Sequence, residues 1–207
     1  MSKSTTLEKI ILAVLIFGII IYFIYSCVQS NRGFVFDATP ILNIEGATVD
    51  VGKTTVEELT NNGYYIGYTE DTYPGMYIVS QLDEEVEAKT HITNTLLADE
   101  EKVLANAYLS NTKTKNVNVK DTTISYVTVD LKENYVTVTY KDKTLNDMIY
   151  DESDDFFGGF EAYGDNKIIK KIRANGNRYV VVMEFDQETK KINSVTVALY
   201  EQFEKSN

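Results

Sequence analysis

Four groups of residues have the types from which a site could be built. The first is Gly52-Lys53-Thr54, the ending of a phosphate-binding loop, in which backbone amides cradle phosphate and the lysine reaches it. That loop needs a glycine five residues before Gly52, where Ala47 stands. Gly46 is one residue out of register, and Asp50 puts a carboxylate where phosphate would lie. Nucleotide binding is therefore not expected. The second group is the acidic run Asp151, Glu152, Asp154 and Asp155. In a calcium loop beginning at Asp151, Phe156 would take the glycine position and Ala162 that of the bidentate glutamate. The run reads instead as solvated acid near a helix N-terminus, and neither metal nor cofactor is expected.

The third group is the single histidine and single cysteine, His91 and Cys27. His91 falls on the Thr93/Thr95 face of an alternating strand, where exposure is expected, and no Ser-His or Cys-His arrangement is visible. A hydrolase would have to use paired carboxylates. The fourth group is tyrosine-dense: Tyr64, Tyr65, Tyr68, Tyr73 and Tyr77, with Pro74-Gly75 as a turn. Tyrosine offers a large contact area at low entropic cost. These five residues are the candidate surface for a protein or carbohydrate, against the plainer reading of strand and loop aromatics.

The elements that would position them follow from pattern. Thr54 with Glu57, or Thr55 with Glu58, makes a capping box, and Gly63 stands where a helix C′ glycine belongs. A two-turn helix is expected over 55–62. Period-two alternation marks strands at Thr48–Val51, Met76–Leu82, His91–Ala98, Val103–Leu109, Thr122–Leu131 and Tyr135–Tyr140. Asp99–Lys102 and Lys132–Asn134 are read as hairpin links, and Ser110–Lys120 as a polar connection. A second short helix is read in LNDMIYDESDDFFGG, stopped by Gly158-Gly159. A three-strand meander then follows, with Asn175-Gly176 as its first turn. Val49–Leu59 (VDVGKTTVEEL) parallels Val138–Met148 (VTYKDKTLNDM), which suggests two related halves.

Ahead of all this lies Ile10–Val28, an uncharged apolar run that as a helix would extend roughly 28 Å, close to the ~30 Å of bilayer hydrocarbon. Lys3 and Lys9 precede it against one Glu8, which favours a cytoplasmic N-terminus. A cleaved signal peptide and a lipoprotein signal are the alternatives. Cys27 is placed for lipidation, although Tyr25 stands where a lipobox usually has a small residue. A pilin-like processing site at Thr6-Leu7-Glu8 lacks its preceding glycine. The chain carries 31 Asp and Glu against 20 Lys and Arg, a formal charge of −11 that repels phosphate backbones and makes nucleic acid an unsuitable partner. One cysteine excludes an internal disulfide framework.

Over Leu145–Leu199, the glycine-ended helix DDFFGG, then EAYGDN, then RYVVVMEFDQETKKINSVTV resembles a helix-plus-meander unit of small bacterial envelope modules. These are the β-lactamase-inhibitor-protein-like and outer-membrane-assembly-lipoprotein-like folds. GKTTVEELTNNGY is similar to sequences in Gram-positive extracytoplasmic modules that follow a signal or lipobox. The resemblance implies binding or scaffolding and brings no catalytic residues.

The expectation is thus an α+β protein: an N-terminal transmembrane helix, then a mostly antiparallel β domain with two short helices and related halves. Its parts are a cytoplasmic tail (1–9), the anchor (10–28), a stalk (29–38), a strand-rich part (39–140), the helix-plus-meander (141–200) and a polar tail (201–207). It is expected in the cell membrane, single-pass, with the C-terminal domain extracellular. The expected function is binding or scaffolding in the cell envelope without catalysis, with the membrane and an unknown protein or cell-wall ligand as partners. An inhibitor or immunity protein and a carboxylate-dependent envelope hydrolase are the alternatives.

Overall fold

The computed structural model describes residues 14–22, 33–69, 77–79, 82–100, 102–132, 135–152 and 160–206. The chain divides into two compact units, Met1–Phe34 and Val35–Asn207.

In the first unit residues 14–22 are helical. Among the described residues no helix is long and apolar enough to cross a membrane. The expected transmembrane anchor over Ile10–Val28 is therefore corrected, together with the signal-anchor reading and the single-pass cell-membrane location drawn from it. An uncharged run records only what water disfavours, whereas a span is a helix of about 20 residues. The other residues of that run, Cys27 among them, lie outside the described residues.

The second unit is mostly β and built of several sheets, which corrects the α+β class. In chain order the strands are β1 (Val35–Phe36), β2 (Ile41–Ile44), β3 (Ala47–Asp50), β4 (Tyr65–Thr69), β5 (Tyr77–Val79), β6 (Glu85–Val86), β7 (His91–Ala98) and β8 (Val103–Ser110). They continue as β9 (Val117–Asn118), β10 (Thr123–Asp130), β11 (Val138–Tyr140), β12 (Lys143–Thr144), β13 (Glu161–Ala162), β14 (Lys167–Ala174), β15 (Asn177–Phe185) and β16 (Ile192–Leu199). Helix α1 (Val56–Asn61) follows β3, and helix α2 (Tyr200–Ser206) follows β16. These helices are too short to form a layer of their own, which is why the sheets set the class.

The large sheet runs β1-β14-β15-β16-β10-β8-β7-β4-β5, with β13 also on β14. Its pairs are antiparallel except β1 with β14. A small sheet runs β12-β11-β2-β3, and β6 pairs with β9. Strict alternation puts Tyr179, Val181, Met183 and Phe185 of β15 on one buried face, beside Val195 and Val197 of β16 and Val127 and Val129 of β10. The same hydrophobic cluster holds Leu42, Ile44, Val49, Val138 and Tyr140 of the small sheet and Val56 and Leu59 of α1. Burial of those apolar faces is the main stabilising term.

Several local expectations are overturned by partner choice. The segment 135–140 does not fold back on β10: β10 pairs with β16 and β8, while β11 joins β2 in the small sheet. Alternation says that one face is buried, not against which strand. The proposed halves diverge as well. Lys141 and Asp142 take positive φ (49° and 61°) and turn β11 straight back into β12, whereas β3 leads through a loop into α1. Residues 201–206, read as a polar tail, are helical and bury Gln202. Of the second expected helix, residues 145–149 form a turn and an isolated bridge from Ile149 to Lys191, residues 150–152 are helical, and 153–159 lie outside the described residues.

The small sheet is joined to the large one by backbone bonds. The Gly52 amide donates to the Ile124 carbonyl (2.7 Å), the Ile124 amide to Thr54 (2.9 Å) and the Val56 amide to Thr122 (3.1 Å). Gly52 has φ +85°, and a Cβ there would lie 3.2 Å from Leu199 Cδ2. Gly52→Ala should therefore destabilise by about 1–3 kcal/mol, from backbone strain and overpacking together. The measurement is urea unfolding, with a lowered midpoint at unchanged slope; an unshifted midpoint would show that this segment is not held as described.

Candidate functional site

The segment Gly52–Val56 that crosses to β10 also sets the walls of a cleft of about 470 Å³. Its lining is Gly46 and Thr48 from the β2–β3 hairpin, Thr54 from the connecting loop, Glu58 and Leu59 from α1, and Asn62 and Tyr64 beyond it. The size lies within the ~300–1,000 Å³ of ligand sites, and the lining is richer in hydroxyl, amide and carboxylate groups than is usual there.

Each wall has a local cause. Glu45 and Gly46, at φ 48° and 90°, form a two-residue hairpin turn of the type that matches strand twist. The Glu45 carboxylate accepts from the Thr137 amide (2.7 Å) and from Lys102 Nζ (3.1 Å), which ties the turn to the neighbouring chain. Of the two possible capping boxes the chain uses Thr55 with Glu58: the Glu58 amide donates to Thr55 Oγ1 (3.1 Å) and the Thr55 amide to Glu58 Oε2 (2.9 Å). Thr54 is instead buried, its Oγ1 accepting from the Asp50 amide (2.9 Å). Asn62 Nδ2 donates to the Glu58 carbonyl (2.7 Å) and closes the helix. Tyr64 Oη donates to the Glu45 carbonyl across the cleft (3.1 Å), and only a glycine fits at 46, where a Cβ would meet that Oη at 3.0 Å.

The five candidate tyrosines are not gathered at one place. Tyr64 lines the cleft. Tyr65 is half-buried in β4, opposite Ala98. Tyr68 and Tyr77 belong to paired strands β4 and β5. Tyr73, like Cys27, lies outside the described residues. The phosphate-loop look-alike has its amides turned onto its own chain: Gly52 to Ile124, and Lys53 and Thr54 both to the Asp50 carbonyl (2.9 Å each). Among the described residues no group of three or more His, Cys, Asp or Glu is placed to hold a metal; of the acidic run only Asp151 and Glu152 are described.

One pair was missed. His91 is half-buried rather than exposed, with Nδ1 2.7 Å from Ser110 Oγ and Nε2 2.8 Å from the Gln202 side-chain amide. Counting outward from the Asp99–Lys102 turn would have paired His91 with Ser110, its cross-strand partner. Gln202 had no such signal, because it arrives on α2. With Ser110 only 2% exposed, its hydroxyl is closed to a substrate, and the cluster serves to pin α2 to β7 and β8.

Among the described residues the shifted carboxylates, Asp37, Glu45 and Asp186, move down. At Glu45 the Thr137 amide and then Lys102 outweigh burial and hold the carboxyl below its ordinary range. At Asp37 burial opposes ionisation. Hydrogen bonds from Lys141 and Lys170 (2.6 Å each) and from the Ala38 amide overcome it and hold the group well below the usual range. At Asp186 the Thr189 amide and hydroxyl do the same in a turn. These are anions fixed in place, not acids poised to donate a proton.

No protein-family model, curated protein or solved structure matches the chain.

A lowered carboxyl value in the fold means that the unfolded chain takes up protons first as the pH falls. The contribution of Asp37 and Glu45 is complete above the ordinary carboxylate range, at about pH 5, and is lost as the pH drops through about 4 and below. Melting temperature should fall over that window, and Asp37→Asn and Glu45→Gln should each flatten the fall. Parallel curves for parent and variants would show that these two groups do not carry it.

Proposed function

We propose that this protein is a non-catalytic binding module that holds a partner at the cleft between the β2–β3 hairpin and α1. The observation that carries this reading is the cleft itself: a concave, polar site whose walls are fixed by the hairpin turn, the capping box and the Tyr64–Glu45 bond. Rigid walls lower the ordering cost of binding. Tyr64 supplies an aromatic face with a polar tip, the kind of group enriched at contact surfaces. Support for a role without catalysis comes from the downward-shifted carboxylates and the closed Ser110 hydroxyl. A carboxylate held ionised is not a general acid, and a nucleophilic hydroxyl needs access.

The test places a photo-crosslinking amino acid at Asn62, on the cleft rim, and in a control chain at Glu188, in the exposed turn before β16. Irradiation in the cells that make the protein should give a discrete adduct at 62 and none at 188, weakened by adding Tyr64→Ala. Equal adducts at the two positions, or none at 62, would overturn the assignment of the cleft.

A further inference from the structure

One wall of the cleft is the edge of a sheet. Strand β3 ends the small sheet, and among the described residues no strand pairs with its other side. The register shows which backbone groups face outward. The two-residue turn at Glu45-Gly46 makes Ile44 and Ala47 the closing pair, which exchanges both backbone bonds. Asn43 and Thr48 are then the next, non-bonded pair, so the Thr48 N–H and C=O point away from β2, on the side where Thr48 lines the cleft. The same alternation turns the Asp50 groups outward, and those are occupied: its amide donates to Thr54 Oγ1 and its carbonyl accepts from the Lys53 and Thr54 amides. The loop thus closes one end of the edge and leaves Thr48 as its docking position. Helix α1, with Glu58 and Leu59, stands across the cleft as the second wall.

We infer that the cleft takes an extended, basic peptide segment by strand addition, one peptide residue exchanging both backbone hydrogen bonds with Thr48 while α1 flanks it. This rests on the reading of the cleft as a binding site and names the partner's chemistry. A strand edge beside a helix gives an extended chain main-chain bonds on one side and side-chain contacts on the other. Charge selects a basic partner. The chain is −11 overall, the cleft lining includes Glu58 and no cation, and the nearby lysines Lys53 and Lys102 are engaged with Asp50 and Glu45. A cationic segment gains from that field both in encounter rate and in selectivity.

The probe is a fluorescein-labelled Lys-Thr-Lys-Thr-Lys peptide, blocked at its ends, with affinity read by fluorescence anisotropy at low and high salt. Two analogues are N-methylated at alternate residues, one set odd and one even. In a strand successive amides point to opposite sides, so one pattern should weaken binding at least tenfold while the other leaves it nearly unchanged. Thr48→Pro removes the outward amide at an edge position where proline is tolerated, and should also cost at least tenfold. Should that variant fail to fold, the methylated pair decides. Binding that responds equally to both patterns, or to neither, overturns strand addition. Absence of binding at millimolar peptide overturns the basic-peptide partner. In either case the crosslink at Asn62 reports independently on whether the cleft binds at all.

Discussion

Three backbone hydrogen bonds between Gly52–Val56 and Thr122–Ile124 are the constraint on which the candidate cleft depends. They carry the chain from the edge of the small sheet onto the start of β10, and everything local follows. They fix where β3 ends, where α1 begins and how far apart the two stand. Gly52 is the residue that permits it, because it takes a positive φ and has no Cβ, which would lie 3.2 Å from Leu199 Cδ2. A buried amide without a partner would cost as much as a lost hydrogen bond or more. The crossing therefore satisfies its own backbone groups while it positions the site.

Ion pairs tie the sheets and turns together at other points. Lys170 projects from β14 on the buried face of the large sheet and is only 5% exposed. A lysine there needs a counterion, since an unpaired buried charge is strongly destabilising. Asp37 supplies it, and it also takes Lys141 from the β11–β12 turn of the small sheet. Glu45 makes a similar three-way join among the β2–β3 turn, Lys102 and the Thr137 amide. In a chain of net charge −11 these cations are few, and several are engaged in holding sheet to sheet or turn to strand. The unbalanced acidic groups then set the sign of the field around the molecule.

Much that depends on near neighbours was legible in the sequence. Thr55 and Glu58 announced their capping box because that motif is made by residues three apart. Asn175-Gly176 announced its turn because both positions need positive φ, and they have 49° and 82°. The buried face Tyr179, Val181, Met183 and Phe185 was visible as plain alternation. Tyr64 was singled out for its type, without a sign that it would face Gly46 rather than join Tyr68 and Tyr77.

By itself the sequence determined where many of the strands and turns begin, the apolar face of β15, the capping box at Thr55 and the net acidic charge. Only the tertiary structure decided that β11 leaves β10 for the small sheet, that His91 meets Ser110 and Gln202, that the last residues form a helix, and that β3 presents Thr48 as an edge beside α1. It also decided against reading Ile10–Val28 as a spanning helix, since among the described residues none is long and apolar enough. The physical reason is the same each time. Dihedral preferences, caps and periodicity act over a few residues and are written locally. Which strand pairs with which is settled by the summed burial of faces far apart in the chain, and a period-two pattern fits many partners equally well.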